Sequence, residues 1–313
     1  MQFGLLTAIL DRHDNGELFT FEEVVDFAAS RGFKSIECAC WPYGGAANRR
    51  YAGVCHINAE KVLEDDAYAK SITDYAKSKN VAISSLGFYS NPVTPDLEAR
   101  GASISHLEAL IKASAKLGIG MVTTFIGRDQ WKTVEDNLPI VAEVWNPLMK
   151  LAEESNVKVA IENCPMLFTK DQWPGGQNIM STPANWEKVF DVVKSDNLGI
   201  NYDPSHAIWQ HLSITDPIYK FKDKMFHTHA KDIHLFTDLE KERGTMAYPL
   251  DIMKPVIPSH GDVDWSAFFN ALYDVGYEGH CALEIEDKAF EGTEAKVFQA
   301  IDLAKRYLDQ FVI

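Results

Sequence analysis

Short apolar runs recur along the chain, separated by longer segments in which apolar positions return every three or four residues. The short runs read as strands: "FGLLTAIL" (3–10), "SIECAC" (35–40), "AISSLGF" (82–88), "MVTTFIG" (121–127), "KVAIEN" (158–163), "LGINYD" (198–203), "MFHTHAKD" (225–232) and "HCALEIE" (280–286). The longer segments read as amphipathic helices: "TFEEVVDFAASRG", "HLEALIKASAKLGIG", "LPIVAEVWNPLMKLAEES", "TPANWEKVFDVVKSDN", "DWSAFFNALYDVGY" and "EAKVFQAIDLAKRYLDQF". In the first helix Thr20 and Glu23 make a capping box and Gly32 a C-cap, and "SRGFKS", "KLGIGM" and "DVGYEG" supply Gly turns just ahead of strands.

Eight strands, each followed by a helix, predict an α/β chain folded as a (β/α)₈ TIM barrel. No Ser/Gly/Pro-rich linker divides the sequence, so residues 1–313 are expected to form one domain. A doubly wound open sheet accommodates the same alternation. However, no G-x-G-x-x-G follows the first strand and no Walker-type "GKS" occurs, so dinucleotide and NTP versions lack support. The longest connections, 42–57, 164–182 and 234–263, follow strands two, five and seven, where barrel loops build active sites.

The seventh strand breaks the apolar pattern. In "FHTHAKDI" (226–233), alternation places His227, His229 and Lys231 on one face and Thr228, Ala230 and Asp232 on the other. Neighbouring strands end in the same way: Glu162 and Asn163 close strand five, Asp203 closes strand six with His206 one turn on, and Glu284 and Glu286 share a face of strand eight. Taken singly, each has a plainer explanation. A lone carboxylate at a strand end is commonly an N-cap or a solvated loop residue, a lone histidine a satisfied core residue, and Lys231 can reach solvent past the barrel mouth.

Together, the four successive strand ends point to a cation, because buried carboxylates repel one another unless a divalent ion sits between them. Glu162, Asp203, His229 and Glu284 make a mostly hard-oxygen set. It suits Mn²⁺ first, and Mg²⁺, Co²⁺ or Zn²⁺ besides, with an exchangeable position for a substrate oxygen. His227, one pleat away, is expected to line the pocket or to hydrogen-bond a ligand. At the rim, Trp41 and Trp173 offer indoles that could stack on the apolar face of a ligand, the plainer alternative being packing beneath a loop. His56 and His106 read as structural.

Composition narrows the partners. With 46% hydrophobic and 24% charged residues the chain is of ordinary globular type, and its formal net charge of −15 opposes nucleic acid and anionic membranes. No apolar run reaches the roughly 20 residues of a membrane span, and the start lacks a basic n-region. Five sparse cysteines, among them a C-x-C pair, give no zinc-ribbon or redox signature. A reducing, cytoplasmic address and buried thiols are therefore expected.

The order "IEN", "DPSHA", "HAKD", "LEIE" resembles the xylose isomerase-like TIM barrel superfamily, in its branch of sugar phosphate isomerases and epimerases with tagatose 3-epimerase-like enzymes and inosose dehydratases. The resemblance covers nearly the whole chain. Its most specific element is D-x-x-H-A with H-x-K-D beginning 26 residues after the Asp.

This resemblance implies that Glu162, Asp203, His229 and Glu284 are metal ligands, that His206 contacts a substrate hydroxyl and that Lys231 stands at a basic substrate-facing position. It also implies that Glu162 and Glu284 carry the protons, as catalytic residues acting through an enediolate. One glutamate acting alone would isomerise a ketose; two acting from opposite faces would epimerise it. The same carbanion with a leaving group in the β position gives a dehydratase or lyase, and some eliminating relatives work with a small partner protein. Barrels of this kind often pair as homo-oligomers. "GDVDW" (261–265) resembles the family loop before the last helix pair, but the usual glycine two places earlier is Ser259, which bears on the loop shape and on His260.

Two other classes stand against an enzyme acting on a small sugar. Abasic-site endonucleases share the barrel and ligand order, but need a D-x-H where this chain reads "KPVIPSHGD", and the charge of −15 opposes DNA. A barrel that only binds a ligand has no need of four metal ligands.

Overall fold

The computed structural model describes residues 1–44, 53–167 and 176–313. Eight parallel strands close into a barrel: β1 (Gln2–Leu6), β2 (Ser35–Ala39), β3 (Ala82–Gly87), β4 (Met121–Thr124), β5 (Lys158–Glu162), β6 (Leu198–Tyr202), β7 (Met225–Ala230) and β10 (His280–Leu283). The ring runs β1-β10-β7-β6-β5-β4-β3-β2, with β1 joined to both β10 and β2, so the expected TIM barrel is present.

The helices begin where the sequence caps them. Thr20 accepts from the Glu23 N–H and Glu23 reaches back to the Thr20 N–H, opening Phe21–Ser30 with the expected box. Asp96, Thr133, Thr182, Asp264 and Thr293 cap later helices, and Gly118 ends Leu97–Leu117 at φ 70°, where a left-handed residue is needed. Trp145, Trp186, Trp265 and Phe268 are buried between the helix layer and the strands.

The long strand expected over 225–232 is two strands. β7 stops at Ala230, and β8 (Asp232–Leu235) turns away to pair antiparallel with β9 (Met253–Val256) inside the connection expected as a loop. Asp232 drives the break: its carboxylate accepts from Ile233 N (2.9 Å), Val263 N (3.1 Å) and Trp265 Nε1 (2.9 Å), pulling the chain outward toward the next helix. Strands β1, β4, β5 and β10 likewise end one to four residues before their apolar runs do, because the last residues turn onto the barrel's rim.

All five cysteines carry free thiols; Cys38, Cys40 and Cys281 are buried as expected, whereas Cys55 and Cys164 are only half-buried. Among the described residues no helix is long and apolar enough to cross a membrane.

Candidate metal centre and active site

The C-terminal ends of β5, β6, β7 and β10 deliver Glu162, Asp203, His229 and Glu284 to one place. Side-chain amides fix these ends. Asn163 donates to the Asp203 carbonyl (2.9 Å) and accepts from the Asp203 N–H (2.7 Å), tying β5 to β6. Asn178 donates to the carbonyls of Glu162 (2.8 Å) and Cys164 (2.6 Å). The Glu284 N–H donates to the Ala230 carbonyl (3.1 Å), continuing the β7–β10 register beyond the strands.

His229 Nδ1 lies 2.9 Å from Glu284 Oε2 and 3.7 Å from Glu162 Oε1. His206 Nε2 lies 3.6 Å from the same Glu162 oxygen and 3.1 Å from Asp203 Oδ2. These five facing atoms are buried and make no well-formed hydrogen bond. Unsatisfied polar atoms are expensive in a folded interior, and here three belong to carboxylates and two to ring nitrogens turned toward one another. A divalent cation among them removes that penalty, and the oxygen-rich donor set with one imidazole fits Mn²⁺ or Mg²⁺. The residues present therefore fit the metal that their sequence order implies.

The electrostatics separate the two glutamates. Burial pushes the Glu284 carboxyl above its ordinary value, and neighbouring Lys231 offsets this only in part. Burial acts on Glu162 too, but the facing imidazoles of His206 and His229 and the charge of Lys231 overcome it and hold the carboxyl below its usual range. Lys231 does not reach solvent. Its ammonium is buried, 3.0 Å from Glu284 Oε1 and 2.9 Å from Glu286 Oε2, and these carboxylates keep it charged against its burial.

His227 is not among the converging groups. It is fully buried one layer deeper, with Nδ1 3.1 Å from Asn201 Oδ1 and Nε2 3.2 Å from Ser84 Oγ, and burial lowers its pKa to about 3. It supports the floor of the site instead of its lining. Trp41 is half-buried at the rim, its ring 6.0 Å from Phe88 and 6.1 Å from Tyr89. Trp173 lies outside the described residues. His56 is structural: Thr7 Oγ1 lies 2.8 Å from Nδ1, and Nε2 donates to the Leu10 carbonyl (2.9 Å). His106 similarly donates to the Cys40 carbonyl (2.8 Å).

Glu37, Tyr89 and Asn201 join the site without a motif to announce them. Glu37, fully buried inside β2, accepts from Thr123 Oγ1 (2.6 Å), from the Tyr89 hydroxyl and from His229 Nε2 (2.8 Å). Burial would raise its pKa, but His229 and His227 draw it down to about 2. Asn201 Nδ2 also lies 3.0 Å from His229 Nε2. The Glu37 carboxylate accepts only, so Nε2 carries a proton, and with a cation bound the lone pair of Nδ1 would be the one facing Glu162 and Glu284. A single charged residue in the strand "SIECAC" was the one available signal.

A profile of the xylose isomerase-like TIM barrel family matches residues 25–307. The chain belongs to this family. Among its relatives is "Uncharacterized protein YfiH" of Bacillus subtilis (strain 168), 22% identical over 325 residues, the alignment covering 93% of this chain and 96% of the relative. Another is the inosose dehydratase of Clostridium perfringens (strain 13 / Type A), 23% identical over 288 residues, covering 88% of this chain and 86% of the relative. In three dimensions the chain resembles D-psicose 3-epimerase from Clostridium cellulolyticum H10, solved with D-tagatose, with a TM-score of 0.71, 15% identity and coverage of 100% of this chain and 99% of that one.

In the loop that lacks the expected glycine, Ser259 itself takes φ 96°, in the left-handed region that glycine favours. His260 beside it is exposed, its backbone N–H donating to the Ile257 carbonyl (3.0 Å).

Proposed function

We propose that the chain is a divalent-metal-dependent isomerase or epimerase of a ketose or keto-sugar, acting through an enediolate with Glu162 and Glu284 as its acid and base. The observation that carries this reading is the convergence of unsatisfied Glu162, His229 and Glu284 atoms within 4.8 Å of one another, with Asp203 and His206 alongside. Glu162, Asp203, His229 and Glu284 would hold the cation, Mn²⁺ first. When bound, that ion supplies Lewis-acid stabilisation of negative charge developing on a substrate oxygen.

The remaining work falls to the chain. One glutamate takes the proton from the carbon next to the carbonyl, and the other returns one, inverting the centre if it acts from the opposite face. Their surroundings set the two carboxyls apart, Glu162 lowered and Glu284 raised, so the pair holds a proton unequally before substrate binds. His206 binds a substrate hydroxyl, Lys231 keeps Glu284 and Glu286 in place and presents a cation to the sugar, and Trp41 offers its ring to the sugar's apolar face.

Elimination is the second reading, favoured by the inosose dehydratase among the relatives. The same proton abstraction then expels a hydroxyl or aglycone in the β position. The formal charge of −15 counts against a phosphodiesterase acting on DNA.

Proton NMR of the Mn²⁺-loaded protein in D₂O tests both, against ketoses, keto-inositols and 3-keto-glycosides. Loss of an α-carbon proton signal from an otherwise intact ketose supports isomerase or epimerase chemistry. A new alkene or a released aglycone moves the protein to the lyases. Silence across the panel with metal bound overturns proton abstraction as the reaction.

A further inference from the structure

We infer that Cys40 and Cys55 are a modification site, a cross-strand thiol pair that a small-molecule disulfide oxidises to a disulfide stapling the end of β2 to residues 54–56. The backbone sets the pair. The Trp41 N–H donates to the Val54 carbonyl (2.9 Å) and the His56 N–H to the Ala39 carbonyl (2.9 Å), which frames Cys40 and Cys55 as directly opposed residues of an antiparallel bridge. They exchange no hydrogen bond themselves, since the Cys40 N–H turns the other way, to the Gly87 carbonyl (2.8 Å). In a pair of this kind the Cα atoms stand about 4.5 Å apart and the side chains are closest. That spacing lies within the roughly 4.4–6.8 Å that a disulfide spans, so closing the bond needs only side-chain rotation. The Cys55 thiol donates to the Ile57 carbonyl (3.4 Å), and the Cys40 thiol meets the backbone of the same residue, so the two sulfurs share one neighbourhood.

The surroundings favour the oxidised form. Burial raises both thiols above their ordinary value, which makes each thiolate a poor leaving group, whereas a disulfide carries no charge and loses nothing by being buried. The bond is therefore slow to form and slower to reduce. Closure runs by exchange with glutathione disulfide. Half-buried Cys55, as thiolate, attacks one glutathione sulfur and releases the first glutathione, and the Cys40 thiolate then displaces the second. Two electrons pass from the protein sulfurs to the glutathione disulfide, and the two protons lost by the protein thiols are taken up by the two glutathione thiolates. Cys38 is the competing thiol, but it lies two residues before Cys40 in the same strand, roughly 6.6 Å along it, at the far edge of what a disulfide spans.

Cys40 directly precedes Trp41, so the bond holds at the rim the indole that is offered to the sugar. That consequence rests on the proposed function, whereas the bond itself does not. The full chain is incubated with glutathione and an excess of its disulfide near the ordinary thiol pKa of about 8.5 until the thiol count is constant, then alkylated and digested with trypsin. Two thiols are expected to disappear, and peptides 35–49 and 51–61 to emerge joined, lighter by two hydrogens than their sum. Oxidation is also expected to raise the urea midpoint of the chain. Cys38→Ser should keep both the joined product and the rise, and Cys40→Ser should lose both. A joined product undiminished in Cys40→Ser assigns the bond to Cys38 and overturns the inference. Separate recovery of the two peptides, or a glutathione left on 51–61, overturns it as well.

Discussion

Glu37 and His229 face each other across the barrel interior, a buried carboxylate oxygen 2.8 Å from Nε2 of an imidazole whose other nitrogen is turned toward Glu162 and Glu284. The pair fixes both the tautomer and the ring plane, so Nδ1 presents a lone pair where a cation would sit. Glu37→Gln keeps the volume and the Thr123 contact, but removes the charge that holds the proton on Nε2. We expect a roughly 10–100-fold loss of Mn²⁺ affinity, read by calorimetric titration. Equal affinity in the variant would reduce Glu37 to a packing residue.

Glu284→Gln tests the proton chemistry. The amide fills the same space and can still meet Lys231, so the fold is expected to survive, as circular dichroism would show. Exchange of the substrate α-proton in D₂O should fall by about 10²–10⁴-fold, the usual contribution of a positioned acid–base group. Undiminished exchange would take that role away from Glu284.

The fold and the convergence of Glu162, Asp203, His229 and Glu284 were legible because they rest on local patterns. Alternating apolar runs, Gly turns and capping residues declare a barrel, and a polar residue at the end of each apolar run declares its rim. What escaped depends on contacts distant in sequence. Glu37 meets His229 across 192 residues, and Tyr89 reaches the same nitrogen across 140, so no spacing within "SIECAC" or "GFYS" could announce them. His227 shows the opposite failure. Alternation correctly gave it the inward face, but depth along the strand, which a period of two does not encode, put it beneath the site. The break after Ala230 was hidden for a related reason: Asp232 looks like one more polar strand position until Trp265, 33 residues on, donates to it.

His56 links stability to pH. It is buried, and burial lowers its pKa to about 4 from an ordinary 6.5, the Leu10 carbonyl resisting only in part. The unfolded chain therefore takes up a proton on this residue before the folded one does. The stability it contributes is complete above about pH 6.5 and is lost as pH falls toward 4, by about 2 kcal/mol between pH 7 and pH 5. Urea unfolding of metal-free protein at the two pH values reads the loss, and His56→Gln should reduce it. An equal loss in wild type and variant would assign the acid sensitivity elsewhere, His227 with its pKa of about 3 being the next group of the same sign.

The turn before the helix Trp265–Asp274 holds two positions with opposite requirements. Ser259 sits at φ 96°, in the region that disfavours any side chain, whereas a Cβ on Gly261 would lie 2.0 Å from Asp232 Oδ1 and 2.5 Å from the Ile233 carbonyl oxygen. Ser259→Gly relieves the strain and is expected to stabilise by about 1 kcal/mol, less the added freedom of glycine in the unfolded chain. Gly261→Ala must instead displace Asp232, whose carboxylate accepts from Ile233, Val263 and Trp265, and whose release would leave buried donors unpaired. A loss on the order of 3 kcal/mol is expected. Urea unfolding of the two variants should move the midpoint in opposite directions. A neutral Gly261→Ala would mean that Asp232 can swing clear without losing its donors, and that β8 leaves the barrel for some other reason.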